Sequence, residues 1–343
     1  MTRKSSSITI RDVARQADVS TATVSRFINQ TVPVSDDVAE RVQAAMKELR
    51  YTPHLAARSL ATKRANAIGL MISFNMYGDF FGPMLSGIES VIGEHGINLL
   101  ISSNNLPLRN GYGGAPLGPT NTDGLIIYAG SIEESEIRHF HSTGFPMVMV
   151  YHTPPADLKI PCVNVENKAA SFKITEHLIK IHNRRKIVYL RGPEGQQDSY
   201  WRELGYRKAL EENNIRYDPS LVLPGEFERY IAAMTMTDAI LNGLEFDAVF
   251  AGDDDAAVGV LGALRDAGRR VPQDVAVVGF DDQRTSSHLT PSLTTVSAPT
   301  FEVGQVAAQQ LLNLMEGNQV AYETLLPTKL VIRASCGCDS QID

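Results

Sequence analysis

The chain has 343 residues with 32 Lys or Arg against 39 Asp or Glu, too long for one small domain and suited to a small domain plus a body of one or two lobes. It has no run of about eighteen apolar residues, and its start lacks the apolar core of a signal peptide, so neither membrane insertion nor export is expected and the cytoplasm is the expected compartment. The net charge of −7 is unevenly placed, residues 1–64 carrying +5 and the remainder −12; a basic front end suits an approach to phosphate, and an acidic body excludes non-specific wrapping of DNA.

From Thr9 to Asn29, TIRDVARQADVSTATVSRFIN reads as two short helices joined by a tight turn. Thr9 is an N-cap with Asp12 three residues on, so that hydroxyl and carboxylate can each satisfy a free backbone N–H. Ile10, Val13, Ala14 and Ala17 share one helix face, and Asp18 stands where the turn needs a left-handed backbone. Ser20 caps a second helix running from about Thr21 to Ile28. Val19, Val24 and Phe27 or Ile28 face inward; Thr21, Ala22, Ser25 and Arg26 face outward. Small or polar residues at the N-terminal end with one Arg a turn later fit a helix that enters the major groove. Thr9, Ser20, Thr23, Ser25 and Asn29 are the expected backbone-contacting or supporting residues. Taken alone, the two helices suit any small helical bundle equally well. Ser35, Asp36 and Asp37 then open a third helix with a capping hydroxyl and two carboxylates, and Val38, Val42, Met46 and Leu49 close a three-helix core. After Tyr51, Thr52 and Pro53, the stretch HLAARSLATKR, His54–Arg64, is helix-prone, small on one side, basic at its end and too short to hold together alone.

The stretches VSTATVSRFIN, Val34-Ser35 and YTPHLAARSLA resemble the DNA-binding headpiece and hinge of the LacI/GalR family of bacterial transcription regulators. The resemblance implies Thr21, Ala22 and Arg26 as base-reading residues. It also implies a hinge helix that pairs with a second subunit's in the minor groove, through His54, Ala57, Arg58 and Leu60. There Leu60 is the wedge into the central base step and Ala57 allows close approach. An inserted apolar wedge costs stacking but bends the duplex towards the protein. Asp18 departs from the family's usual Gly. The implied division is a headpiece over 1–52, a hinge over 53–66 and an effector-binding and dimerisation core over 67–343.

From Ala67 onward, short apolar runs alternate with longer amphipathic stretches. AIGLMI, INLLIS, DGLIIY, PMVMVY, KIVYLRG, DAVFAG and DVAVVGF read as buried parallel strands. GPMLSGIESVIGEHG, KAASFKITEHLIKIH, YWRELGYRKALEENN and DDAAVGVLGALRDAG read as crossover helices, giving two βαβ lobes. Such lobes bind ligands at the carboxyl ends of their strands, in the crevice between the halves. The residues at those ends are Asp79, Phe80 and Phe81 after the first strand, Tyr151 and His152 after PMVMV, Arg202 after KIVYLRG, Asp253 and Asp254 after DAVFAG, and Asp281 and Asp282 after DVAVVGF. With Phe227 they suit a polyhydroxylated ligand, since carboxylates accept from vicinal hydroxyls, Arg donates to ring oxygens and aromatic faces cover C–H groups.

Each has an ordinary alternative: Asp253 to Asp255 as a helix N-terminal acidic cluster, the second Asp of GFDD as a turn cap, Arg202 as a partner of Glu203 or Glu211. His152 is expected at the surface or a hinge. The resemblance implies a core like a periplasmic sugar-binding protein, with Asp79, Phe80, Phe81, Tyr151, Arg202, Phe227, Asp253 and Asp281 as effector contacts. Tyr151 stands where many members carry Asp, which leaves the identity of the sugar open.

One segment departs from this plan. LPLRNGYGGAPLGPTN, residues 106–121, holds four Gly and three Pro where the family places a helix, and no regular helix can form there. It is either a divergent loop or the product of a short frame error with compensating shifts; a true loop exposes apolar strand surface on that lobe. Three cysteines give no disulfide framework. A zinc site at Cys336 and Cys338 is not expected, because no second Cys or His pair lies near them in sequence. No cofactor is called for.

The expected fold is therefore an all-α helix-turn-helix headpiece with a hinge helix, then a two-lobed α/β periplasmic-binding-protein-like core with parallel sheets. The expected function is that of a regulator, most simply a repressor, that binds a pseudo-palindromic double-stranded DNA operator as a homodimer under control of a small effector, a carbohydrate before a purine or nucleoside. Paired carboxylates and an Arg in a cleft would also serve a glycosidase, but a hydrolase has no use for the headpiece. No Leu heptads follow the last strand near Lys329–Arg333, which argues against a coiled-coil tetramer.

Overall fold

The computed structural model describes residues 8–29, 32–51, 64–72, 79–103 and 117–338. The hinge expectations for His54, Ala57, Arg58 and Leu60 lie outside these residues, as does most of the glycine- and proline-rich segment.

The N-terminal unit has three helices, α1 (Ile10–Gln16), α2 (Thr21–Asn29) and α3 (Asp36–Glu48). Their apolar faces meet in a core of Val13, Ala14, Ala17, Val24, Val42 and Ala45. Asp18 turns the chain with φ +52°. The Arg41 guanidinium donates to the Ala17 carbonyl (3.1 Å), and the Gln16 amide donates to Glu48 (2.9 Å), tying α3 to the end of α1. Ser20 caps α2 as expected, accepting from the Thr23 N–H at 3.0 Å. Thr9 and Asp12 form the expected capping box at the start of α1, and Asp12 accepts both the Thr9 N–H (2.9 Å) and the Thr9 hydroxyl (2.7 Å). One expectation changes. Ser35 holds the N-cap position of α3 without a capping side-chain bond, and the carboxylates of Asp36 and Asp37 in the first turn are left to complement the helix dipole.

The body begins with β1 (Ala67–Ile72), α4 (Phe81–Ile92), β2 (Asn98–Ser103), β3 (Leu125–Tyr128), α5 (Glu134–Ser142), β4 (Met147–Val150) and β5 (Cys162–Val165). It then continues through α6 (Asn167–Lys180), β6 (Ile187–Arg191), α7 (Gln197–Glu212), β7 (Val222–Pro224), α8 (Arg229–Leu241), β8 (Ala248–Ala251), α9 (Asp254–Asp266), β9 (Ala276–Val278), β10 (Thr295–Ser297), α10 (Thr300–Met315), β11 (Glu323–Leu326) and β12 (Lys329–Val331). The first sheet runs β11-β5-β4-β3-β1-β2 and the second β7-β6-β8-β9, each parallel throughout. Helices cover both faces, which is why the central strands are continuous apolar runs.

The chain crosses between lobes three times: from β5 into α6, from β10 into α10, and from β11 into β12, where β12 pairs antiparallel with β10. Helix α10 returns to the first lobe and packs on α4. Gly87 and Gly304 meet there, and a Cβ at either would overlap the opposite helix's backbone at Phe301 or Met84. Strand β2 is the outer strand of its sheet and keeps Leu100 and Ile101 exposed, while Leu117 is buried under Gly69 and Leu125.

Candidate functional site

In the N-terminal unit, packing sets which side of α2 faces out. Val24 is fully buried, with Val19, Phe27 and Ile28 packed against the same core. Thr21, Ala22 and Arg26 are consequently exposed on the opposite side. The Ser20 and Thr23 hydroxyls are 2.8 Å apart at the start of the helix, and Ser25 is half-buried. Thr9 is engaged with Asp12 at the start of α1, and its hydroxyl and N–H hold the Asp12 carboxyl below its ordinary pKa. The result is a short helix with a free, small-residue N-terminal face and one cation a turn later.

In the body, a cleft of about 680 Å³ lies between the lobes at the carboxyl ends of their strands. Arg202, buried on α7, is its centre. Its Nε donates to Asn167 Oδ1 (2.8 Å), one terminal nitrogen to the Gly252 carbonyl (2.6 Å) and the other to Asp281 Oδ1 (3.1 Å). The guanidinium lies 3.7 Å from the Phe280 ring centre and 5.3 Å from that of Phe227. Asn167 in turn donates to Asp198 Oδ1 at 2.7 Å. An arginine is required for this arrangement, because its planar fork serves three acceptors at once where an ammonium would not.

Three buried carboxylates surround this cation. Burial pushes Asp198 up to about 6, with Arg202 opposing and Asp281 adding to the shift. Burial also raises Asp253 well above the ordinary carboxylate value, with Asp281 contributing, and raises Asp281 itself against the pull of Arg202. One guanidinium cannot neutralise three desolvated carboxylates, which keeps their pKa values raised and lines the cleft with carboxyl groups that can hydrogen-bond hydroxyls. Asp253 also caps α9 by accepting from the Ala256 N–H at 2.9 Å. The capping and cleft-lining readings of Asp253 therefore hold together. Asp254 points away into the lobe, accepting from Ser286 (2.6 Å), Thr295 (2.5 Å) and the Gln283 N–H (2.9 Å). Asp282 pairs with Arg333 at 2.8 Å instead of capping a turn.

The apolar wall is formed by Phe80, Phe81, Tyr128 and Phe227. Gly192 and Gly252 make room for Phe227, whose ring a Cβ at either position would overlap. Three cleft-lining residues, Glu226, Phe227 and Asp281, have positive φ. Such non-glycine conformations persist only where surrounding structure holds them, and they cluster at functional sites.

The structure thus brings Phe80, Phe81, Arg202, Phe227, Asp253 and Asp281 together around one cleft. Two expected residues do not join them. Asp79 is exposed beside a separate, smaller depression, because it precedes α4 on its outer side. Tyr151 is buried behind Phe80, ring centres 5.3 Å apart, with its pKa raised by burial; the left-handed turn after β4 directs it inward. His152, expected at the surface or a hinge, lines the cleft with a buried Nδ1 that has no partner among the described residues, and burial lowers its pKa. Sequence reasoning missed Tyr128, Gln196, Gln197 and Asp198 in the lining and Asn167 behind Arg202. Tyr128 ends a strand already read as DGLIIY, and Gln197 and Asp198 open the helix that carries Arg202. The strand leading to Asn167 was not recognised at all.

The family model described as "Bacterial regulatory proteins, lacI family" matches residues 9–54, and that described as "Periplasmic binding protein-like domain" matches residues 175–336. The chain is 33% identical to the ribose operon repressor of Halalkalibacterium halodurans over 95% of this chain and 96% of that protein. It is 32% identical to the HTH-type transcriptional regulator CelR of Thermobifida fusca (94% and 95% covered) and 31% identical to the HTH-type transcriptional repressor PurR of Edwardsiella ictaluri (98% of each). Among solved structures it is similar to the lac repressor dimer bound to operator and an anti-inducer, with TM-score 0.81, 26% identity and coverage of 96% and 99%. It is also similar to a CelR–cellobiose complex, with TM-score 0.71, 27% identity and the same coverage.

Proposed function

The chain belongs to the LacI family of bacterial transcription regulators, and from that membership we propose how this member works: Thr21, Ala22 and Arg26 read a half-site of a pseudo-palindromic operator, and the interlobe cleft takes a carbohydrate effector. The protein is a DNA-binding regulator and not an enzyme. Thr9, Ser20, Thr23, Ser25 and Asn29 position the headpiece on the backbone, and the hinge from His54 through Ala57, Arg58 and Leu60 enters the minor groove. No described helix is long and apolar enough to cross a membrane.

The observation that carries the effector assignment is Arg202, held by Asn167, Gly252 and Asp281 and flanked by raised carboxylates, facing an aromatic wall across the cleft. That donor and acceptor set matches vicinal hydroxyls above a C–H face. A phosphorylated effector is disfavoured because the buried carboxylates of the cleft outnumber Arg202. The lobes are already bridged at the cleft mouth by Gln197 Oε1 accepting from the Thr153 N–H at 2.7 Å.

Homodimerisation is supported by α8, which exposes Tyr230 (76%), Met234 (69%) and Leu241 (78%). Those side chains lie along a helix whose opposite face is buried through Ala232 and Met236. Exposed apolar rows of this kind mark interaction surfaces.

The test is titration calorimetry of the purified protein against mono- and disaccharides, sugar phosphates and purines, repeated on Arg202→Lys. A saccharide that binds the natural protein and loses affinity in the variant supports the reading. Selective purine binding would replace it with a nucleobase-responsive regulator.

A further inference from the structure

At the far end of α6 from the cleft, a second cluster of reactive side chains comes together. His177 sits in the last turn of α6, His182 just beyond it, and Cys336 and Cys338 in the turn that follows β12. His177 Nε2 and His182 Nε2 are 3.3 Å apart. Cys338 Sγ lies 3.5 Å from the first and 3.3 Å from the second. With Cys336 Sγ included, the four donor atoms all fall within 4.8 Å of one another.

The spacing is that of a coordination polyhedron. A tetrahedral zinc ion with Zn–N of about 2.0–2.1 Å and Zn–S of about 2.3 Å has N···N edges of about 3.3–3.4 Å and N···S edges of about 3.5–3.6 Å. The His177–His182 and His177–Cys338 distances match those edges, and His182–Cys338 is about 0.2 Å shorter. Hydrogen bonding explains the arrangement poorly, because an imidazole Nε2 carries either one proton or one in-plane lone pair and cannot serve two mutually contacting partners well. A cation at the centre serves all of them.

The local backbone is suited to the same end. Gly337, between the two cysteines, has φ +109°, and its Cα packs on the His182 ring so closely that a Cβ would lie 3.2 Å from Nδ1. Only glycine turns the chain there without strain. Cys336 is fully buried, and the Thr294 hydroxyl donates to its sulfur at 3.1 Å, a bond that a thiolate ligand would keep as outer-shell support. His177, His182 and Cys338 are half-buried, which leaves a path for an ion. The fold supplies the His pair that the neighbourhood of Cys336 and Cys338 in sequence lacks: the two histidines stand 161 and 156 residues before Cys338.

We propose that His177, His182, Cys336 and Cys338 form a tetrahedral zinc site that staples the segment after β12 to the end of α6. Two imidazoles and two thiolates favour Zn²⁺ over the oxygen-seeking Mg²⁺ and Ca²⁺, and binding releases the two thiol protons to solvent. Asn167, which holds Arg202 in the cleft, and His177 lie on the same helix about 15 Å apart at 1.5 Å per residue. The site therefore acts on the anchorage of the C-terminal lobe rather than on effector contact.

The full chain is stripped with chelator under reducing conditions and titrated with Zn²⁺ or Co²⁺. One equivalent of zinc is expected to survive desalting, and Co²⁺ should give intense tetrahedral d–d bands with thiolate-to-metal charge transfer in the near-ultraviolet. Cys338→Ser and His182→Gln, each checked for native circular dichroism, should lose the charge-transfer band or weaken zinc binding more than tenfold. Zinc should also slow alkylation of Cys338 in the unaltered protein, a readout independent of variant folding. Absence of the cobalt bands at stoichiometric metal, equal zinc retention by the variants, or a Cys336–Cys338 disulfide in protein purified without reductant would each overturn the site.

Discussion

The cleft is organised by one side chain. Arg202 joins α6, the turn after β8 and the turn after β9 through Asn167, Gly252 and Asp281. Arg202→Lys keeps the charge but cannot hold the three acceptors. The variant should lose about 1–3 kcal/mol of stability and bind the effector at least tenfold more weakly, as measured by urea unfolding and calorimetry; unchanged effector affinity would remove Arg202 from the site. Asp198 gives a pH signature. Its folded pKa is raised by burial to about 6 from the ordinary 3.8, so its contribution favours the folded state below the unfolded value and is lost as pH rises through about 6. Between pH 7.5 and 5 it should add about 1 kcal/mol of stability, and Asp198→Asn, which keeps the acceptor for Asn167, should lack that gain. Parallel pH responses in the two proteins would show that Asp198 does not titrate as described. Asp253 and Asp281 were legible in the sequence because they closely follow apolar strands, and Arg202 because it lies on the helix that follows the strand KIVYLRG. Tyr151 turns inward and His152 towards the cleft because a single left-handed residue after β4 rotates the chain, and no side-chain pattern announces that φ.

At the scale of elements, apolar strands and several amphipathic helices were readable, and most short polar strands were not. KIVYLRG and DAVFAG are unbroken apolar runs paired within one sheet, whereas β7, β10 and β11 have three or four residues each and include Thr, Ser, Glu or Pro. Helix α10 went unread although it covers the first sheet, because it breaks the simple βαβ alternation by returning from the second lobe to the first. In the headpiece, patterning and capping agree, and that agreement makes α2 a specific prediction. Arg26→Ala should relax preference at one operator base pair and cost about 1–3 kcal/mol on the cognate sequence, if the guanidinium makes a two-bond contact to guanine. Equal loss on all sequences in a binding-site selection would assign Arg26 to phosphate instead. For the hinge, Leu60→Ala should weaken operator binding while sparing non-specific DNA, because a wedge contributes only on a bent duplex; unchanged operator affinity would remove Leu60 from that role.

The whole molecule separates two requirements that a single substitution can distinguish. The effector cleft is lined by both lobes of one chain, whereas two half-sites need two headpieces. Three crossings between lobes allow the lobes to rotate about β5–α6, β10–α10 and β11–β12, so effector closure can change how a paired molecule presents its hinges. Met234 stands 69% exposed at the middle of the apolar face of α8, and an aspartate there would place an uncompensated charge in any interface built on that face. Met234→Asp should sediment as a monomer and retain effector affinity within about twofold. On operator DNA it should lose the second half-site and fall by orders of magnitude towards the affinity of one headpiece, because the two contacts are no longer linked. A variant that stays dimeric would place the interface elsewhere. A monomer that still binds full operator tightly would show instead that recognition does not depend on pairing, and it would uncouple the cleft from DNA in this chain, since lobe rotation within one subunit has no second hinge to act against.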